Sequence, residues 1–142
     1  MRFKIDFRTM KKMFFDRAAV KKRVDVRTRK ALSKFGAYVR QTSRRSIKKR
    51  KGTSKPGRPP FSHVGTLKRF IFFGYDAERR SVVIGPTLVP GKRGTAPSSL
   101  EYGGKSNASW GGQTKIRQRP YMHPAFEKHL PMAPDLWRNS VK

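Results

Sequence analysis

Cysteine is absent, acidic residues are scarce, and no long apolar run occurs. The missing cysteine removes disulfides, cysteine-based metal sites and thiol catalysis, and fits assembly in a reducing cytosol. Asp and Glu number only 8 against 35 Lys and Arg, and they are scattered. A two-metal nuclease needs several converging carboxylates, and the chain offers no such group. No stretch approaches the roughly 18 apolar residues that mark a membrane span. Met13-Phe14-Phe15 is too short for the apolar centre of a signal peptide, and Asp16-Arg17 follows at once.

What is present is positive charge and aromatic surface. The formal net charge is +27 over 142 residues. Self-repulsion of that size disfavours a compact lone monomer, and counter-charge relieves it. Nucleic acid, an acidic protein surface or an anionic membrane would each supply that charge. Ten Phe, four Tyr and two Trp argue against full disorder, because disordered chains are poor in aromatics. The length suits one domain with a modest core. The expected class is α+β: a small antiparallel sheet packed by a long N-terminal helix and a short C-terminal helix.

Residues 1–16 form an N-terminal arm ahead of the body at 17–142. In it Phe3, Ile5 and Phe7 alternate with charged residues, a strand-like period. The arm pairs with the main sheet or a neighbouring chain, or it is a frayed terminus. Asp16 has the position of a helix N-cap, and Phe15 and Val20 have the spacing of a hydrophobic staple. Val20, Val24, Thr28, Ala31, Phe35, Val39, Thr42 and Ser46 then recur in steps of three and four, which is helical. Leu32, Tyr38 and Ile47 widen the stripe. The expected helix covers 17–50 and is longer than a small domain needs, so part of it projects or packs on another subunit. Gly36 and Thr42-Ser43 are its weak places.

The rest of that helix is crowded with Lys21, Lys22, Arg23, Arg27, Lys30, Lys34, Arg40, Arg44, Arg45, Lys48, Lys49 and Arg50. Few acids stand four residues away to offset them, so the face is not a self-neutralising ladder. A solvated face is the plain reading. The single sign points instead to an anionic partner, DNA or acidic protein.

Residues 51–62 read as a proline-stiffened linker. The sheet and C-terminal helix occupy 63–131. Leu67–Tyr75 and Ser81–Gly85 flank a polar turn and predict a hairpin. Residues 86–99 read as loop, with Lys92 and Arg93 at its tip. Leu100-Glu101-Tyr102 reads as a core strand that ends at Gly103-Gly104, followed by a flexible loop containing Trp110. Gln113–Gln118 reads as a returning strand with Ile116 inward. A phosphate-cradling role for the glycine-rich loop fails, because no helical period follows Gly103-Gly104-Lys105-Ser106. Tyr121, Met122, Ala125, Phe126 and Leu130 fall at helical spacing, with Pro124 in the first turn. Residues 132–142 form the tail.

The search for catalysis yields little. His123 and Glu127 can share a helix face, but no His-Glu-x-x-His motif accompanies them. The serines lack a nucleophile elbow. The expectation is a non-enzyme without metal or cofactor.

Five motifs stand in order: Pro56-Gly57-Arg58-Pro59-Pro60, His63-Val64-Gly65-Thr66-Leu67, Val82-Val83-Ile84-Gly85, Leu100-Glu101-Tyr102-Gly103-Gly104 and Arg119-Pro120-Tyr121-Met122-His123-Pro124-Ala125-Phe126-Glu127. Over about residues 54–130 this order resembles the neck and tail-completion (head–tail connector) proteins of long-tailed bacteriophages. Val64 and Gly104 stand where Thr is common, Gln118 where Ala is, and Tyr121 where Phe is. The signature residues are Gly65, Leu67, Gly85, Glu101, Tyr102, Gly103, Arg119, Pro120, Pro124 and Ala125.

The resemblance implies a non-catalytic virion subunit at the head–tail interface, assembled in the host cytoplasm as a homo-oligomeric ring. Its neighbours would be portal, adaptor or head-closure, and tail-tube or terminator proteins. The basic helix, Lys92, Arg93 and Trp110 then become contact residues. A channel-lining basic face would hold packaged double-stranded DNA non-specifically by counterion release. Strong attraction there slows DNA passage, so acidic protein is the favoured partner. The alternative is a basic nucleic-acid-binding protein of ribosomal or nucleoid type.

Overall fold

The computed structural model describes residues 16–87, 96–107 and 112–138. The arm before Asp16, the Phe15 half of the proposed staple, Lys92, Arg93, Trp110 and residues 139–142 lie outside the described residues.

Helix α1 spans Arg17–Ser46. Asp16 caps it: Oδ1 accepts from the N–H groups of Ala18 (3.0 Å) and Ala19 (3.1 Å), two of the donors a helix start leaves unpaired. The expected end near residue 50 is corrected to Ser46, and Lys48, Lys49 and Arg50 lie beyond the helix. The reason is Ile47. It turns extended at φ −80°, ψ 106°, which sends its side chain into the core beside Ile71 and Tyr121. The chain then runs back on itself, with Lys48 bridging Phe61 and the Ser62 N–H donating to the Lys48 carbonyl at 3.0 Å.

The sequence from Leu67 was expected to open the first strand. Instead Thr66–Arg69 form a one-turn helix, α2, entered through Gly65 at φ +85°. That left-handed conformation suits glycine, and Ser62 Oγ accepts from the Gly65 N–H at 2.9 Å. Leu67 still turns inward, against the Ile47–Ile71–Tyr121 cluster. Strand β1 (Ile71–Asp76) pairs antiparallel with β2 (Ser81–Pro86), with Phe73 opposite Ile84 and Asp76 opposite Ser81. Asp76 Oδ1 accepts from the N–H groups of Glu78 and Arg79 and so folds the turn. By strand alternation Phe73, Tyr75, Val82 and Ile84 share one face. This face meets α1 at Gly36, where an added Cβ would lie 2.8 Å from Val82 Cγ2 and 2.9 Å from Phe73 Cδ2. Gly36 is therefore a place where helix and hairpin approach too closely for a side chain.

Leu100-Glu101-Tyr102 was expected as a strand and is helical. Helix α3 spans Ala96–Tyr102, with Pro97 in its first turn, where a missing N–H costs nothing. Gly103 at φ +77° ends it, and a Cβ there would stand 3.2 Å from the Ile116 carbonyl oxygen. Part of the expected loop after Gly104 is strand: β3 (Gly104–Asn107) pairs antiparallel with β4 (Gln113–Ile116). The α+β class stands, and among the described residues the strands form two separate two-stranded sheets.

Helix α4 spans His123–His129. Pro131 does not stop the chain from coiling. A 3-10 turn at Leu130–Met132 leads into helix α5 (Ala133–Arg138), so the expected tail begins as structure. Segment 51–62 is more than a spacer: Ser54, Pro60 and Ser62 are buried. The Gly57 N–H donates to the Gln118 carbonyl at 3.0 Å, and Arg119 Nε donates to the Ser54 carbonyl at 3.0 Å.

The core is correspondingly small. One cluster joins Phe35 and Val39 of α1 to Ala125 of α4, with Val82, Ile84, Ala133 and Leu136 around it. The second joins Ile47, Ile71 and Tyr121, with Leu67, Leu100 and Met122. Phe35 also meets Phe126 edge to face at 5.6 Å, a favoured aromatic geometry.

Candidate functional site

The cationic surface is built on α1, which carries eleven Lys and Arg against Asp25 as its single acid. At 100° per residue, Arg23, Arg27, Lys30, Lys34 and Arg45 fall in one strip that flanks the side bearing Phe35. All five are exposed. With a rise of 1.5 Å per residue this row is about 33 Å long. Lys21 and Lys22 are exposed but lie off this strip. Asp25 does little to neutralise the row, because it pairs with Arg80 of the hairpin turn at 3.2 Å.

Not every cation on the helix is available. Arg40 is half-buried: its Nε donates to the Ile71 carbonyl at 2.8 Å, and its guanidinium lies 5.8 Å from the Phe72 ring. It fastens α1 to β1 and is a fold residue first. Arg29 lies 5.9 Å over Tyr75 in the same manner. Arg44 is half-buried. Lys48, Lys49 and Arg50 are exposed on the connector, and Arg50 stacks over Phe61 at 5.4 Å. Of the twelve candidate contact residues, five form the helical row and three the connector group, Arg40 is drawn into the fold, Arg44 is half-buried, and Lys21 and Lys22 stand off the row.

The signature residues converge for structural reasons. Glu101 is buried at the end of α3, and its carboxylate meets the start of α4. Oε2 accepts from the N–H groups of Tyr121 (3.0 Å) and Met122 (3.1 Å), and Oε1 from that of His123 (2.8 Å). An anion in this place satisfies donors at a helix start and suits the local dipole. The Arg119 N–H donates to the Leu100 carbonyl at 2.6 Å, which sets α3 beside the Arg119-Pro120 step. Pro124 occupies the first turn of α4, and Ala125 packs under Phe35 and Val39. Gly103 makes the turn after Glu101. Gly85 sits in β2 opposite Phe72, with open space over its Cα. Tyr102 departs from the group, being 80% exposed.

Beside this junction lies a cavity of about 310 Å³, lined in part by Ile84, Pro86, Pro97, Glu101, Tyr121 and Met122. Its carboxylate is already committed to three backbone donors. Burial among apolar neighbours, and secondarily the Glu101 carboxylate, pushes the Tyr121 phenol well above the ordinary tyrosine range.

His123 Nε2 and Glu127 Oε1 meet at 3.1 Å, as their spacing predicts, but both are exposed. No group of three or more metal-ligating side chains occurs among the described residues. No described helix is long and apolar enough to cross a membrane.

Sequence reasoning named His129 beside His63 and His123 as a candidate histidine but gave it no partner. Its Nε2 lies 2.7 Å from Thr42 Oγ1, its Nδ1 lies 3.1 Å from Met132 Sδ, and its ring stacks on Tyr38 at 5.8 Å. The trace of this contact in the sequence was the position of Tyr38 and Thr42 on the helical stripe. It is a packing contact between α1 and α4.

Compared with known proteins, the chain matches no family model, and neither a curated protein nor a solved structure shows significant similarity to it.

Proposed function

We propose that the chain is a non-catalytic structural subunit of a phage head–tail interface, a ring component that joins portal or head-closure proteins to the tail. The observation that carries this reading is the asymmetry of α1. One side of its second half is buried in the core, whereas Val20, Val24 and Val26 in its first half stand exposed beside a row of cations. A lone subunit gains little from extending a charged helix past its own core, but an assembly uses such an extension as a contact between chains. The ordered motifs over residues 54–130 support the same reading. Within them Glu101 accepts from the N–H groups of Tyr121, Met122 and His123 and so fixes the approach of α4.

The test is made on particles. Disrupting the gene is expected to yield empty heads or unjoined tails, and a ring of this subunit is expected at the neck in electron micrographs. Normal particles after a clean deletion overturn the proposal.

The straight cationic row favours a second reading, a nucleic-acid-binding protein. Titration with duplex DNA at rising salt separates the two. The second reading requires tight binding with a steep salt slope, whereas the assembly reading requires only weak, non-specific binding.

A further inference from the structure

The first half of α1 carries an apolar seam that the described fold leaves uncovered. Val20 and Val24 are one turn apart and lie on the side of α1 that bears Ala31 and Phe35. Ala31 and Phe35 are 4% and 5% exposed, whereas Val20 and Val24 are 49% and 54% exposed. By helical spacing Arg17 and Lys21 border the seam on one side, and Arg23 and Arg27 on the other. All four are exposed. Of the two acids near it, Asp16 caps the helix start and Asp25 is paired with Arg80.

We infer that this seam seats an amphipathic helix of a neighbouring protein, one whose apolar stripe is bordered on both sides by Asp and Glu. The inference deepens the assembly reading and rests on it for the neighbour being a protein. Charge complementarity selects the occupant. A second copy of α1 would set cations against cations on both flanks, because the helix has eleven Lys and Arg and one Asp. Duplex DNA matches the cations but offers the valines only a phosphate-lined surface. An acidic amphipathic helix satisfies both features: its apolar stripe covers Val20 and Val24, and its flanking carboxylates meet the four cations, as flanking charges do in paired helices.

The experiment uses the full chain and two synthetic peptides of identical Leu, Ala and Glu composition. One places Leu at helical spacing between Glu borders, and the other is scrambled to remove the stripe. Fluorescence anisotropy is expected to show the amphipathic peptide binding at least about tenfold tighter than the scrambled one. The double variant Val20→Ser, Val24→Ser is expected to lose that margin while its affinity for the scrambled peptide holds. Val26→Ser is the control, because Val26 is equally exposed but lies on another side of the helix. It is expected to keep the margin. Circular dichroism checks that each variant remains folded.

Equal binding of the two peptides overturns the inference. So does a margin that survives the double valine variant, or one that Val26→Ser also removes. None of these results bears on the assembly reading, which is decided by particles that lack the gene.

Discussion

The two halves of α1 share a helical period, a cationic composition and a continuous chain, yet they meet different surroundings. From Ala31 to Ser46 the inward side chains touch β1, β2, α4 and α5, and Ala31, Phe35, Val39 and Ser43 are buried. From Arg17 to Lys30 the apolar positions continue, but Val20 and Val24 are about half exposed. Among the described residues, contacts that reach this half include Arg80 to Asp25 and Arg29 to Tyr75, both between side chains at the surface. Surface pairs of this kind contribute about 0–1 kcal/mol. The period of a helix therefore says which side is apolar, and the neighbours decide whether that side is a core or a contact surface.

Replacing one apolar residue in each half tests this contrast directly. Phe35→Ala removes a buried ring and its edge contact with Phe126, and should cost about 3–5 kcal/mol. Val24→Ala should change stability by no more than about 0.5 kcal/mol. Urea unfolding of the two variants measures both, and similar losses would erase the distinction between the halves.

A second variant asks how far the buried half depends on polar anchoring of the elements packed on it. Glu101→Ala leaves the N–H groups of Tyr121, Met122 and His123 without their acceptor, at a cost of about 3 kcal/mol. Glu101→Gln should cost less, because a carboxamide oxygen still accepts. A lowered urea midpoint with unchanged helicity of α1 would show that α4 loosens first.

The smallest expected effect is a dependence on alkaline pH. Tyr121 holds its proton more tightly in the native chain than in the unfolded one. Its contribution is therefore complete below the unfolded value of about 10 and is lost as pH rises above it. Thermal melts on either side of that value should show a steeper alkaline fall for the native chain than for Tyr121→Phe. Matching slopes would mean that the Tyr121 site opens before it titrates.

The elements differ in how legible they were. Asp16 and the stripe from Val20 to Val39 announced α1, because caps and a 3.6-residue period are local properties. The hairpin was equally plain from its β-branched runs and polar turn. Leu67 and Leu100-Glu101-Tyr102 misled, because a short apolar stretch fits a strand or a helical turn alike. Gly65 and Pro97 tipped both into helix. The helix end at Ser46 was not readable either. Lys48, Lys49 and Arg50 are good helix residues, and it was the burial of Ile47 beside Ile71 and Tyr121 that pulled the chain out of its coil.

The candidate site divides in the same way. The one-signed row on α1 follows from spacing alone, since residues three and four apart share a side whatever surrounds them. That Arg40 belongs to the fold depended on where β1 lies, because its partners are the Ile71 carbonyl and the Phe72 ring. Glu101 looked like part of a strand signature and proved to be a buried acceptor for the start of α4, twenty residues or more along the chain. By itself the sequence determined the charge, the helical period, the caps and the hairpin, which are properties of neighbouring residues. Tertiary structure decided where α1 ends, which arginines are free and which apolar side chains remain uncovered. Those outcomes depend on residues distant in sequence competing for one small core.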